Sequence, residues 1–115
     1  MKFSKFILLF YVIFSFHVFA STESEIKHLL AYVEATDCQY ERNGTMHSGA
    51  DAVKHINKKY RYYSDDIESS EDFIKLSATK STMSGKSYKI HCQNQMPIKS
   101  QDWLLTELHA FRQRQ

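Results

Sequence analysis

The sequence predicts an α+β domain: about four helices packed on a small two-stranded antiparallel sheet, with one intramolecular disulfide. Three observations predict it. Apolar residues recur at helical spacing in separate stretches, two short segments alternate apolar with polar residues, and each of those segments carries one of the 2 cysteines, Cys38 and Cys92.

The chain opens with Lys2 and Lys5 ahead of an apolar run from Phe6 to Phe19 that only Ser15 and His17 interrupt. This is a signal peptide pattern, and Val18-Phe19-Ala20 places cleavage after Ala20. Residues 1–20 are thus expected to be a signal and residues 21–115 one small α+β domain. An uncleaved anchor is the rival, although the run is short for a span and lacks a basic stop-transfer flank. Loss of the signal removes Lys2 and Lys5, taking Lys plus Arg from 15 to 13 against 13 Asp plus Glu, so the formal charge falls from +2 to zero. No long-range field is left to gather phosphates or anionic lipid, so neither nucleic acid nor, after signal removal, a membrane is an expected partner. Export implies a periplasmic or secreted, oxidising location, where an intramolecular Cys38–Cys92 disulfide is the default over two buried thiols or a redox pair.

Thr22-x-x-Glu25 has the form of a capping box, and Ile26, Leu29, Leu30 and Val33 make the buried stripe of a first helix, with Glu25, Lys27, His28 and Glu34 off it. An extended Cys38 to Arg42 puts Cys38, Tyr40 and Arg42 on one face. Asn43-Gly44 is a two-residue turn signal, because both residues tolerate positive φ, and Thr45 to Gly49 reads as a polar loop. A second helix is expected from about Ser48 to Arg61 on Ala52, Val53, Ile56 and Tyr60. Ser64-Asp65-Asp66 reads as an acidic link, and Ser69 caps a third, short helix that turns Phe73, Ile74 and Ser77 inward. After a loop, Ser81 to Gly85, the second strand sets Tyr88, Ile90 and Cys92 on its apolar face. Ser100 is expected to cap a last helix with Leu104, Leu105, Leu108 and Phe111 buried, and the tail Arg112 to Gln115 to fray.

The candidate chemistry is sparse. His47, Asp51 and His55 fall four residues apart, a spacing that could align metal ligands, but an exposed face with an Asp51–His55 ion pair is preferred. Ser84-Gly85-Lys86-Ser87 ends like a phosphate-binding loop, yet Lys80 stands where that motif needs glycine, and a strand rather than a helix follows. Trp103 is assigned to packing in preference to sugar stacking, while Tyr62 and Tyr63, beside Lys58, Lys59 and Arg61, form a candidate interaction patch. Arg42 shares a face with a buried sulfur, so it needs a carboxylate or a ligand anion; Glu71 and Glu107 are the internal candidates.

Arg42-Asn43-Gly44, Ala52, His55-Ile56, Lys59, Glu71, Phe73-Ile74, Ser81, Ser84-Gly85-Lys86 and Tyr88 together resemble the pattern of the YfeK-like proteins, small exported bacterial proteins with a domain of unknown function. The likeness spans Ile26 to about Phe111, with Ser87 in place of a usual proline and Ile56 in place of a leucine. It implies a bacterial envelope location and no reaction. Among the matching residues, Arg42, His55, Lys59, Ser81, Gly85 and Lys86 are expected to line a shallow anion pocket, with His55 a donor that strengthens as pH falls. The preferred reading is a non-catalytic binding or protein-interaction module, without a cofactor, that takes an envelope protein or a small anionic ligand. The alternative is a small hydrolase or metal-dependent enzyme that uses His55 with Asp51 or Ser81.

Overall fold

The computed structural model describes residues 20–115, so all of the expected signal except Ala20 lies outside the described residues. The first helix, α1 (Thr22–Ala35), is capped one residue earlier than its sequence suggests: Ser21 Oγ accepts from the Ser24 N–H at 3.1 Å. Glu25 therefore takes no part in a capping box. It turns inward and is buried beside Ile26, Leu29 and Val33, correcting its placement off the stripe. Strand β1 (Gln39–Arg42) runs into the Asn43-Gly44 turn, whose φ values of 53° and 78° belong to the left-handed region that this dipeptide tolerates.

The turn reverses the chain at once, and Thr45–His47 returns as β2 rather than as the start of a polar loop. Helix α2 (Gly49–Tyr62) is capped by Ser48, and a single 3-10 turn, Ser64–Asp66, occupies the acidic link. Helix α3 (Ser70–Ser77) starts at its expected Ser69 cap. Strand β3 (Lys89–His91) pairs with β4 (Ile98–Lys99), and α4 (Ser100–Gln113) closes the chain.

The sheet therefore has four strands in the order β2-β1-β3-β4, not two. The four helices and the disulfide stand; the expected strands are its central pair. The two outer strands are 3 and 2 residues long, too short to carry an alternation, and neither buries a residue. Hairpin closure places them, not patterning.

All pairings are antiparallel, with Tyr40 opposite Ile90. Two residues on in each strand direction, Cys38 and Cys92 are joined with Cα atoms 4.5 Å apart, packed against the core from the face that Tyr40 and Ile90 share. The core itself lies between this sheet face and the helices, with Ala52 and Ile56 of α2, Phe73 and Ile74 of α3, and Leu104 and Leu108 of α4. Ser100 does not cap α4. Its hydroxyl meets Tyr40 Oη at 2.7 Å inside the core, and Lys99 holds the cap position with no side-chain bond.

The tail is also anchored. Arg112 donates to both oxygens of Glu25, at 2.7 and 3.0 Å, and to both oxygens of Glu71, at 2.8 and 3.3 Å. Ser70 Oγ adds 2.7 Å to Glu25, so one guanidinium ties α1, α3 and α4 together.

Candidate functional site

At its C-terminal end β1 delivers Arg42 past the core, on the face it shares with Tyr40. Helix α2 brings His55, Lys58, Lys59 and Tyr62 to the same place, because offsets of three, four and seven residues fall on one helical face. The segment from Thr79 to Tyr88 folds across the opening, with Tyr88 N–H donating to Thr79 O at 2.9 Å and Ser81 N–H to Lys86 O at 3.0 Å. These three pieces enclose a cavity of about 660 Å³ lined by Arg42, Asn43, His55, Lys58, Lys59, Tyr62, Tyr63, Ser81, Thr82, Met83 and Tyr88.

The Ser81 loop is built from the β1–β2 turn. Ser84 Oγ donates to Asn43 Oδ1 at 2.6 Å, Asn43 Nδ2 donates to Ser81 Oγ at 3.3 Å, and the Ser84 N–H reaches the same Ser81 oxygen at 3.3 Å. Gly85, with φ of 72°, donates its N–H to Ser81 O at 2.9 Å. Two turns distant in sequence are thereby locked into one wall of the cavity.

Tyr88 stands at its floor. Lys59 Nζ lies 3.3 Å from Tyr88 Oη and 2.8 Å from Lys80 O, and His55 Nε2 lies 3.1 Å from the same phenol. An ammonium only donates, so the phenol oxygen accepts from Lys59 and keeps its own O–H to donate to His55 Nε2 when that nitrogen carries no hydrogen. Burial, then the charges of Arg42, Lys59, Lys58 and His47, push the His55 imidazole down to about 4. Burial raises Tyr88 and lowers Lys59.

No acidic side chain lines this cavity, and among the described residues Arg42 makes no ion pair. The two carboxylates expected to serve it are engaged elsewhere: Glu71 by Arg112, and Glu107 by Arg114 and His28. A second hollow of about 660 Å³ between α1 and α2 is different in kind, because Glu23 and Glu34 line it together with Lys27 and Lys54.

Of the residues singled out from sequence, Arg42, His55, Lys59 and Ser81 line the cavity, and so do Tyr62 and Tyr63, so the residues of the two expected sets share one hollow. Gly85 and Lys86 do not line it. Gly85 shapes the wall, its N–H already spent on Ser81 O, and the exposed Lys86 uses its N–H on Ser84 Oγ at 3.2 Å.

His47 lies in β2 and not on the helix with Asp51 and His55, and His55 is partnered by Tyr88 rather than Asp51. Among the described residues no group of three His, Cys, Asp or Glu is placed to hold a metal ion. Ser81 Oγ is bonded to Asn43 and Ser84, so no hydrogen bond joins it to His55 as a nucleophile to a base. Trp103 packs on Tyr32 at 4.7 Å beside the disulfide, in another part of the fold from the tyrosine pair.

Sequence reasoning overlooked the Tyr88 hydroxyl, having assigned the residue to core alone. Its ring does pack on Tyr40 at 5.6 Å, and only the arrival of α2 reveals that its other end is polar and shared.

Residues 20–112 match the model of a family described as a family of unknown function, DUF5329. No curated protein and no solved structure matches the chain.

Proposed function

We propose that this chain, which belongs to the DUF5329 family, is a non-catalytic binding module whose cavity between α2, the β1–β2 turn and the Ser81 loop receives an anionic group. The single observation behind this reading is the charge imbalance of the site. Arg42, Lys58 and Lys59 line one hollow with no carboxylate among them, and Arg42 is half-buried without an ion pair among the described residues. A guanidinium so placed forgoes part of its hydration, and a bound anion restores the lost interactions.

The reading is of an exported protein, periplasmic or secreted, released by cleavage after Ala20 into a single domain over residues 21–115, and of a YfeK-like member of its family. The Cys38–Cys92 bond supports that location, since such bonds persist where thiols are kept oxidised. Among the described residues no helix is long and apolar enough to cross a membrane.

Titration of the disulfide-bonded protein with a panel of small anions, followed by amide and side-chain NMR, tests the site. Shifts should gather at Arg42, His55, Lys59, Ser81 and Tyr88. If no anion in the panel binds either the native protein or a folded Arg42→Ala variant, the reading is wrong.

A second reading, an adaptor or inhibitor that docks an envelope protein here, is favoured by the rim: Tyr62 is 80% and Met83 97% exposed. A captured envelope protein that is lost when Tyr62 and Tyr63 are both changed to Ala, in a chain that binds no small anion, would favour it.

A further inference from the structure

The free donors of the cavity are few, and their geometry restricts what they can hold. Three backbone N–H groups of the Ser81 loop could have formed a phosphate nest, but Ser84 N–H goes to Ser81 Oγ, Gly85 N–H to Ser81 O and Lys86 N–H to Ser84 Oγ. Lys59 already donates to Lys80 O and Tyr88 Oη, and Lys58 is exposed on the rim. The donor group with no partner among the described residues is the planar fork of Arg42, which can meet both oxygens of one carboxylate, with a single remaining Lys59 N–H nearby.

Beside these polar groups the lining presents apolar surface: the rings of Tyr62 and Tyr63, packed edge to face at 4.8 Å, and the thioether of Met83. A volume of about 660 Å³ is that of a small-molecule site rather than of a lone ion.

We propose, resting on the anion-site reading above, that the cavity takes an amphiphilic monocarboxylate, with its carboxylate on Arg42 and its apolar body along Tyr62, Tyr63 and Met83. The ligand is a small acid with one charged end and an aliphatic or aromatic remainder.

Isothermal titration at neutral pH tests this on the disulfide-bonded protein purified after expression of the full chain, with octanoate, acetate, octanol, octyl phosphate and inorganic phosphate as probes. Octanoate should bind at least about tenfold more tightly than each of the other four. Arg42→Gln should weaken octanoate by at least about tenfold, and the Tyr62→Ser, Tyr63→Ser pair should weaken octanoate while leaving acetate unchanged.

Tighter binding of octyl phosphate or inorganic phosphate than of octanoate overturns the proposal and leaves the anion site standing. Equal binding of octanol and octanoate overturns both, as does the absence of binding by every probe. Should Arg42→Gln not fold, NMR of the native protein decides: octanoate must perturb the Arg42 Nε–H and the Tyr63 ring, and perturbations centred elsewhere overturn the proposal.

Discussion

His55 joins local burial to a response of the whole protein. Its imidazole is held at about 4 by burial and by four cationic neighbours, against an ordinary value of 6.5, so the folded chain binds fewer protons than the unfolded chain between those limits. The stability this contributes is complete above about pH 6.5 and is lost as pH falls toward 4. Glu25 and Glu71, both lowered chiefly by hydrogen bonds from Arg112, lose their contributions only at lower pH, starting below about 4.5. Thermal unfolding followed from pH 7 to pH 5 should thus show a falling midpoint that His55→Gln flattens; an unchanged slope would detach His55 from the cationic cavity. Burial and then the neighbouring cations oppose the proton that the expected donor role of His55 requires. A bound anion would relieve that opposition, so ligand affinity should rise as pH falls through the same window. The Tyr88 partner behind this behaviour could not be read from sequence, since it lies 33 residues away with no spacing rule to connect the two.

Helices α1 and α2 meet where Gly49 opens α2. A methyl carbon there would lie 2.2 Å from Val33 O and 3.1 Å from Glu34 O, both backbone atoms that cannot turn aside. Gly49→Ala should push the helices apart and cost about 2 kcal/mol or more in chemical denaturation. Gly44→Ala, in open space but at φ of 78°, should cost only about 1 kcal/mol. The close approach at Gly49 has no sequence signature, because the glycine sits among turn residues and passes for one of them.

Arg112 works at this scale as well. Removing it leaves the Glu25 carboxylate buried with Ser70 alone, so Arg112→Ala should destabilise the fold by roughly 2–3 kcal/mol, less than a fully buried pair because the guanidinium is 38% exposed. Urea titration checks it. An equal loss from Arg114→Ala, whose partner Glu107 also holds His28, would make the α1–α3–α4 clamp unremarkable.

Across the whole molecule, the Cys38–Cys92 bond joins residues 54 apart at one end of the central strand pair. Replacing both cysteines with Ser should lower stability by about 4 kcal/mol in the chain-entropy account, read in urea as a lower midpoint with a steeper slope, because the uncrosslinked unfolded chain exposes more surface. That loss would be a large part of the total for a domain of this size. The helices, their apolar faces, the central strand pair and the Asn43-Gly44 turn were all legible in the chain, because each rests on local periodicity or on the conformational tolerance of one or two residues. The outer strands were not, since strands of 3 and 2 residues form only when a neighbour offers its hydrogen bonds. The sequence by itself determined which residues could be buried, which carried charge and where the chain must turn. Only the tertiary structure decided which charges were paired, because Glu71 was open to any cation until α4 brought Arg112 to it, and Glu107 met His28 only once α1 packed on α4. Arg42 was left to face Lys59 and His55 across a cavity, a matter of distances between elements that no spacing along the chain records.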